Sequence, residues 1–117
     1  MNSDDLKNRT KQFALSIIRF VDSLPSNRTT EILGRQLLRS ATSVGANYRS
    51  ACRARSKADF ISKITVVEEE ADECQYWLEL FVESGKSTPI NLEPLLKEAG
   101  ELTAIFTATG RTAKHKK

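Results

Sequence analysis

The sequence predicts an all-α protein, an antiparallel up-down-up-down four-helix bundle. Three observations lead there. Four segments space their apolar residues by alternating threes and fours, and none shows the period-two alternation of a half-buried strand. Short junctions holding Pro25, Ser56 or Ser84-Gly85 separate them, each a start or stop signal for a helix. The 117 residues suffice for one core and not for two, so helices joined by short connections must pack on one another.

The first helix is expected over about 4–23, with Leu6, Phe13, Ile17, Phe20 and Leu24 on one side and Ile18 and Val21 widening it. Pro25 stops it, and Ser26 or Asn27 can cap the next. The second, 28–55, turns Gly34, Leu37, Ala41, Val44, Tyr48 and Ala51 inward, with Leu38, Gly45 and Cys52 beside them. Ala41 and Gly45, four apart, let a neighbouring helix come close. The third, 57–84, has the cleanest pattern: Phe60, Ile64, Val67, Ala71, Cys74, Leu78 and Phe81 keep a seven-residue repeat, the signature of a helix aligned nearly along its neighbours. Ser56 with Asp59 marks its start as a variant capping box, and Gly85 its end. The fourth, about 90–111, places Leu92, Leu95, Ala99, Leu102, Phe106 and Thr109 inward, with Pro94 tolerated in its first turn and Gly100 weakening it by up to about 1 kcal/mol. One bundle domain is thus expected over 1–113 with a basic tail at 114–117, and the last residues, TAKHKK from Thr112 to Lys117, should be frayed.

Hydrophobic residues make up 39% and charged residues 28%, the ordinary globular range. No apolar run approaches a membrane span and MNSDDLKNRT lacks a signal-peptide pattern, so a cytoplasmic protein is expected. Cys52 and Cys74 should be displaced by roughly 20 Å along the bundle, too far for a disulfide. Neither a metal nor a cofactor is called for: a di-iron bundle needs Glu-x-x-His pairs, and the single histidine is His115. The run Glu68, Glu69, Glu70, Asp72, Glu73 is read instead as a solvated or salt-bridging face, with Glu70 and Glu73 placed to meet an arginine of the second helix. Without a phosphate loop or a histidine to activate Ser or Cys, no enzyme is expected.

The net charge of +3 conceals a dipole: residues 1–57 sum to +7, 58–110 to −8 and 111–117 to +4. On the second helix Arg35, Arg39, Thr42, Ala46, Arg49 and Arg53 follow one another by 4, 3, 4, 3 and 4, forming a ladder about 200° around from the apolar stripe. Thr42 and Ala46 leave a shallow gap between its cations. With Arg55 and Lys57 this face is the candidate nucleic-acid contact, since arginine offers a bidentate fork to phosphate, and Lys114, Lys116 and Lys117 add long-range attraction. The same fork fits carboxylates, for which Glu69, Glu73 and Glu83 are at hand; the second reading is an interaction module whose arginines bridge to neighbouring subunits or to a partner protein. Tyr76, Trp77 and Leu80 lie off the main stripe of the third helix, either widening the core face or forming a subunit interface.

The stretches LLRSATSVGAN (Leu37 to Asn47), YRSACRARSKADFI (Tyr48 to Ile61) and EADECQYWLEL (Glu70 to Leu80) resemble the signature of a bacterial four-helix-bundle family. It comprises the intervening-sequence proteins of large ribosomal RNA genes and the accessory variability determinant of diversity-generating retroelements. With the outer helices the likeness covers nearly the whole chain. It implies a homopentameric barrel with a basic surface and, as in the retroelement relatives, association with nucleic acid and a reverse transcriptase. Glu68 to Glu70 depart from a purely basic surface.

Overall fold

Each of the first three helices begins where a side chain satisfies its first amides. The computed structural model describes residues 1–86 and 91–116; among them run α1 (Ser3–Asp22), α2 (Arg28–Ala51), α3 (Lys57–Ser84) and α4 (Glu93–His115), and no strand. Asn2 caps α1 in a reciprocal box with Asp5, and Asn27 caps α2 in another with Thr30. Ser56 caps α3 by accepting from the Asp59 amide at 3.0 Å, but the Asp59 carboxylate reaches the Arg55 amide at 3.1 Å, one residue before the cap. Gly85 closes α3 at φ 75°, where a side chain would be strained.

The bounds of α3 match those expected and α1 lies one residue earlier at each end, while the C-terminal ends of α2 and α4 differ more. α2 stops at Ala51, its last fully buried residue, because the amides of Arg53 and Ala54 bond three residues back and tighten the chain into a turn. Arg53 and Arg55 therefore lie in the connection to α3. α4 extends to His115, into the stretch expected to fray from residue 112 onward: Lys114 and His115 in its last turn complement the helix dipole, and Lys57 donates to the Lys116 carbonyl. The expected start at residue 90 lies outside the described residues, and Pro94 falls at the second helical position, where no amide bond is lost.

The inward stripes meet in one core. Ile17, Leu37, Ala41, Val44, Ile64, Val67, Cys74, Leu78, Phe81, Ala99, Leu102 and Phe106 are fully buried. Phe20 meets Phe81 edge-on with ring centroids 5.2 Å apart, and Tyr48 lies 5.3 Å from Phe106. α2 and α3, and then α3 and α4, share the most extensive contacts, and α1 touches α4 least. The result is a rod of 49 × 21 × 19 Å. The close approach expected at Gly45 is made by α1: a Cβ on Gly45 would sit 3.2 Å from Thr10 Oγ1. Thr10 is wholly buried, and its hydroxyl is satisfied by donating to the Leu6 carbonyl at 2.9 Å.

Candidate nucleic-acid interface

The arginine ladder divides. Its upper member Arg39 turns across to α3 and binds Glu70 at 3.0 Å and Glu73 at 2.8 Å, with its second nitrogen also donating to the buried Ser40 hydroxyl at 3.2 Å. The hydrogen bond to Glu70, and then that carboxylate's charge, raise the Arg39 pKa above the usual guanidinium value. The second oxygen of Glu70 is buried and meets no donor among the described residues. Part of the acidic run is thus engaged with neighbouring helices: Glu70 and Glu73 hold Arg39, and Glu68 accepts from Thr107 of α4. Cys74, enclosed beside them, has its thiol pushed up to about 12 by burial, with the charges of Glu70 and Glu73 adding.

Further along α2 the surroundings change from carboxylate to cation. Arg49, Arg53 and Arg55 converge with Lys7 of α1 and Lys63 of α3 around an open cleft of about 580 Å³, whose remaining walls are Ala46 and Ser50. Among the described residues Arg49, Arg53 and Arg55 make no side-chain salt bridge. Two carboxylates border the cleft: Asp59 holds Lys63 at 2.8 Å, and Asp4 lies 3.9 Å from Lys7. The Asp59 carboxyl sits below its usual range through the bond from Lys63 and then that from the Arg55 amide. The gap expected at Thr42 and Ala46 is real: with Gly45, Lys7 and Lys11 they line a groove between α1 and α2 that opens beside Arg49. Five cations around a cleft with few carboxylates create a local field that attracts phosphate.

The other expected residues lie apart. Arg35 is exposed near the Pro25 turn, next to Glu31 and Gly34, away from the cleft. Lys57 belongs to a separate groove with Lys116. Lys117 lies outside the described residues. Tyr76 is 54% exposed, whereas Trp77 and Leu80 are half-buried; Tyr76 meets Trp77 edge-on at 5.1 Å. Sequence reasoning missed Lys7 and Lys63, since nothing in their local pattern announces a neighbour on another helix. It also missed Arg9, which ties α1 to α4 through Glu98 and Glu101, each at 2.7 Å. Glu98 above all raises the pKa of that guanidinium.

Fold and surface together define a class: all-α four-helix bundles that gather arginine and lysine from three helices and a turn into one cleft. Within it, the chain belongs to the 23S rRNA-intervening sequence protein family, whose model matches residues 4–108. It is similar to a solved protein of unknown function from the S23 ribosomal protein family of Bacteroides thetaiotaomicron VPI-5482, at 32% identity and a TM-score of 0.85, over 95% of this chain and 99% of that one. No curated protein matches. No helix among the described residues is long and apolar enough to cross a membrane.

Proposed function

We propose that the protein is a non-enzymatic, cytoplasmic, oligomeric nucleic-acid-binding protein that holds an RNA or DNA backbone through Arg49, Arg53 and Arg55, with Lys7 and Lys63 added by the fold. The observation that carries this reading is the convergence of those five cations on one open cleft. Arg35, Lys57 and the terminal lysines extend the attraction over a wider surface. The family name, with its ribosomal RNA connection, supports a nucleic-acid partner, and a reverse transcriptase is the protein partner that the retroelement relatives imply. Labelled RNA and DNA duplexes titrated at two salt concentrations test it: log affinity should fall by about 0.9 for every phosphate neutralised on duplex DNA. Absent or salt-insensitive binding rejects the reading.

The antiparallel up-down-up-down course belongs to the same proposal. It is supported by contacts whose numbers run in opposite senses: Gly45 with Thr10 and Gly34 with Val21, then Gly110 with Ile64 and Gly100 with Gln75. A homopentamer follows from the family resemblance, with exposed Tyr76, beside Trp77 and Leu80, as the subunit contact. Light scattering should then give about 65 kDa, five copies of the 13.1 kDa chain. At Arg39 the carboxylate partners lie within the chain, so that side chain is taken up by an internal clamp and supports neither a nucleic-acid contact nor a bridge to another subunit.

A further inference from the structure

Beside the cationic cleft, the start of α3 and the end of α4 enclose a second depression of about 740 Å³ with a different character. Its walls are apolar or small, formed by Phe60, Ile105, Ala108 and Thr112, and its rim carries Lys57 and Lys116. Phe60 and Ile105 are both half-buried, so each leaves part of its surface open to the groove. The two depressions flank the same first turns of α3. Arg55 lines the cleft and Lys57 the groove, only two residues apart, so their Cα atoms are separated by at most about 7 Å. On α3 itself, Lys63 faces the cleft and Phe60 the groove.

A ligand that covers both must be anionic along one side and flat and apolar along the other. A duplex presents phosphates outward but keeps its bases stacked inside, so it can fill the cleft and leave the groove empty. A single strand can place phosphates among Arg49, Arg53 and Arg55 while turning a base onto the Phe60 ring, with Lys57 and Lys116 meeting the next phosphates. Base-on-aromatic stacking beside a cationic track is the general way proteins hold single strands without reading sequence. We infer that the groove between α3 and α4 is a base-stacking subsite and that the protein selects single-stranded over duplex nucleic acid. This rests on the cleft reading above and narrows its substrate class. The two lysines beside a mainly apolar lining favour this anionic occupant over a second copy of the chain.

The test compares a homopyrimidine oligonucleotide with its duplex at one fixed salt concentration, in the wild type and in Ala108→Gln, which fills the exposed groove without altering charge or core. A single strand bound about five- to tenfold more tightly is expected, and Ala108→Gln should erase that preference while leaving duplex affinity within about twofold. Phe60→Leu, which keeps an apolar side chain but removes the ring, should do the same, and 2-aminopurine in the strand should change its fluorescence on binding only when Phe60 is present. Equal binding of both forms, or a preference that neither variant moves, overturns the subsite and leaves the cleft standing. Binding of neither form overturns both. A changed mass for Ala108→Gln in light scattering would make the groove a contact between copies and likewise overturn the inference.

Discussion

Arg39 and Arg53 stand two heptads apart in the same sequence pattern, yet their surroundings are opposite. Arg39 has Glu70 and Glu73 in front of it; Arg53 has Arg49, Arg55, Lys7 and Lys63 around it. The first is a clamp between helices and the second part of a cluster of cations around an open cleft. A stripe of like residues in one sequence pattern is therefore not one functional unit, because what an arginine does depends on what the fold places opposite it.

Charge reversal gives the largest test of that contrast. Arg49→Glu with Arg53→Glu should weaken nucleic-acid binding by about a hundredfold or more at low salt and flatten the salt dependence, since two contacts become repulsions. Melting should barely change, because neither side chain pairs with an acid among the described residues. If binding survives, the cleft is not the site.

Arg39→Ala should do the reverse. Its loss leaves the nearly buried Glu70 without its cation, at a cost of about 1–2 kcal/mol in urea or thermal unfolding, while nucleic-acid affinity stays within about twofold. A variant that melts normally but binds poorly would return Arg39 to the nucleic-acid surface and erase the distinction.

A smaller effect should come from Gly100→Ala. Its new Cβ would meet the flexible end of the Gln75 side chain, Oε1 at 3.4 Å and Cδ at 4.0 Å, so the better helix propensity of alanine should stabilise α4 by about 0.5–1 kcal/mol. The paired change Gly45→Ala on α2 presses on Thr10 Oγ1 at 3.2 Å, and that hydroxyl is buried and already bonded to Leu6. It should fail to give the same gain in melting, and it should disturb the cleft side of the bundle by pushing α1, with Lys7, away from Arg49.

The smallest change expected is in Asp59→Asn. Neutralising it releases Lys63 toward the cleft and should raise phosphate affinity by about twofold. The Asp59 pKa is depressed in the folded chain, so its stabilisation is present above the unfolded value near 3.8 and is lost as pH falls through the lower folded value. Acid titration of the melting temperature should show that component in the wild type and not in the variant. Unchanged affinity would mean that Lys63 does not meet the ligand.

Much of the fold was written in local patterns. The stripe of α3 is buried from Ile64 to Phe81, its first member Phe60 being only half-buried, and both its caps, Ser56 and Gly85, are used. Where the chain gives no glycine or proline, the end was not legible: residues 52–56 contain neither, and α2 stops four residues before the periodicity suggested. The end of α4 was hidden because TAKHKK reads as a polar tail, and only the neighbouring start of α3, through Lys57, gives its last turn something to hold. The candidate site was legible by half. Arg49, Arg53 and Arg55 stood out as a basic run, but Lys7 and Lys63 join them only through packing.

By itself the sequence determined the helices, their inward faces and the charge dipole along the chain, because periodicity, capping and net charge are properties of neighbours in sequence. Only the tertiary structure decided which arginine meets carboxylate and which meets solvent. A hydrogen-bonded ion pair forms only at contact distance, and between exposed charges the remaining attraction is largely screened beyond about 8–10 Å, so the fate of Arg39 depends on the rotation of α3 that brings Glu70 and Glu73 against it. The cleft depends in the same way on α1 approaching closely enough at Gly45 to bring Lys7 beside Arg49.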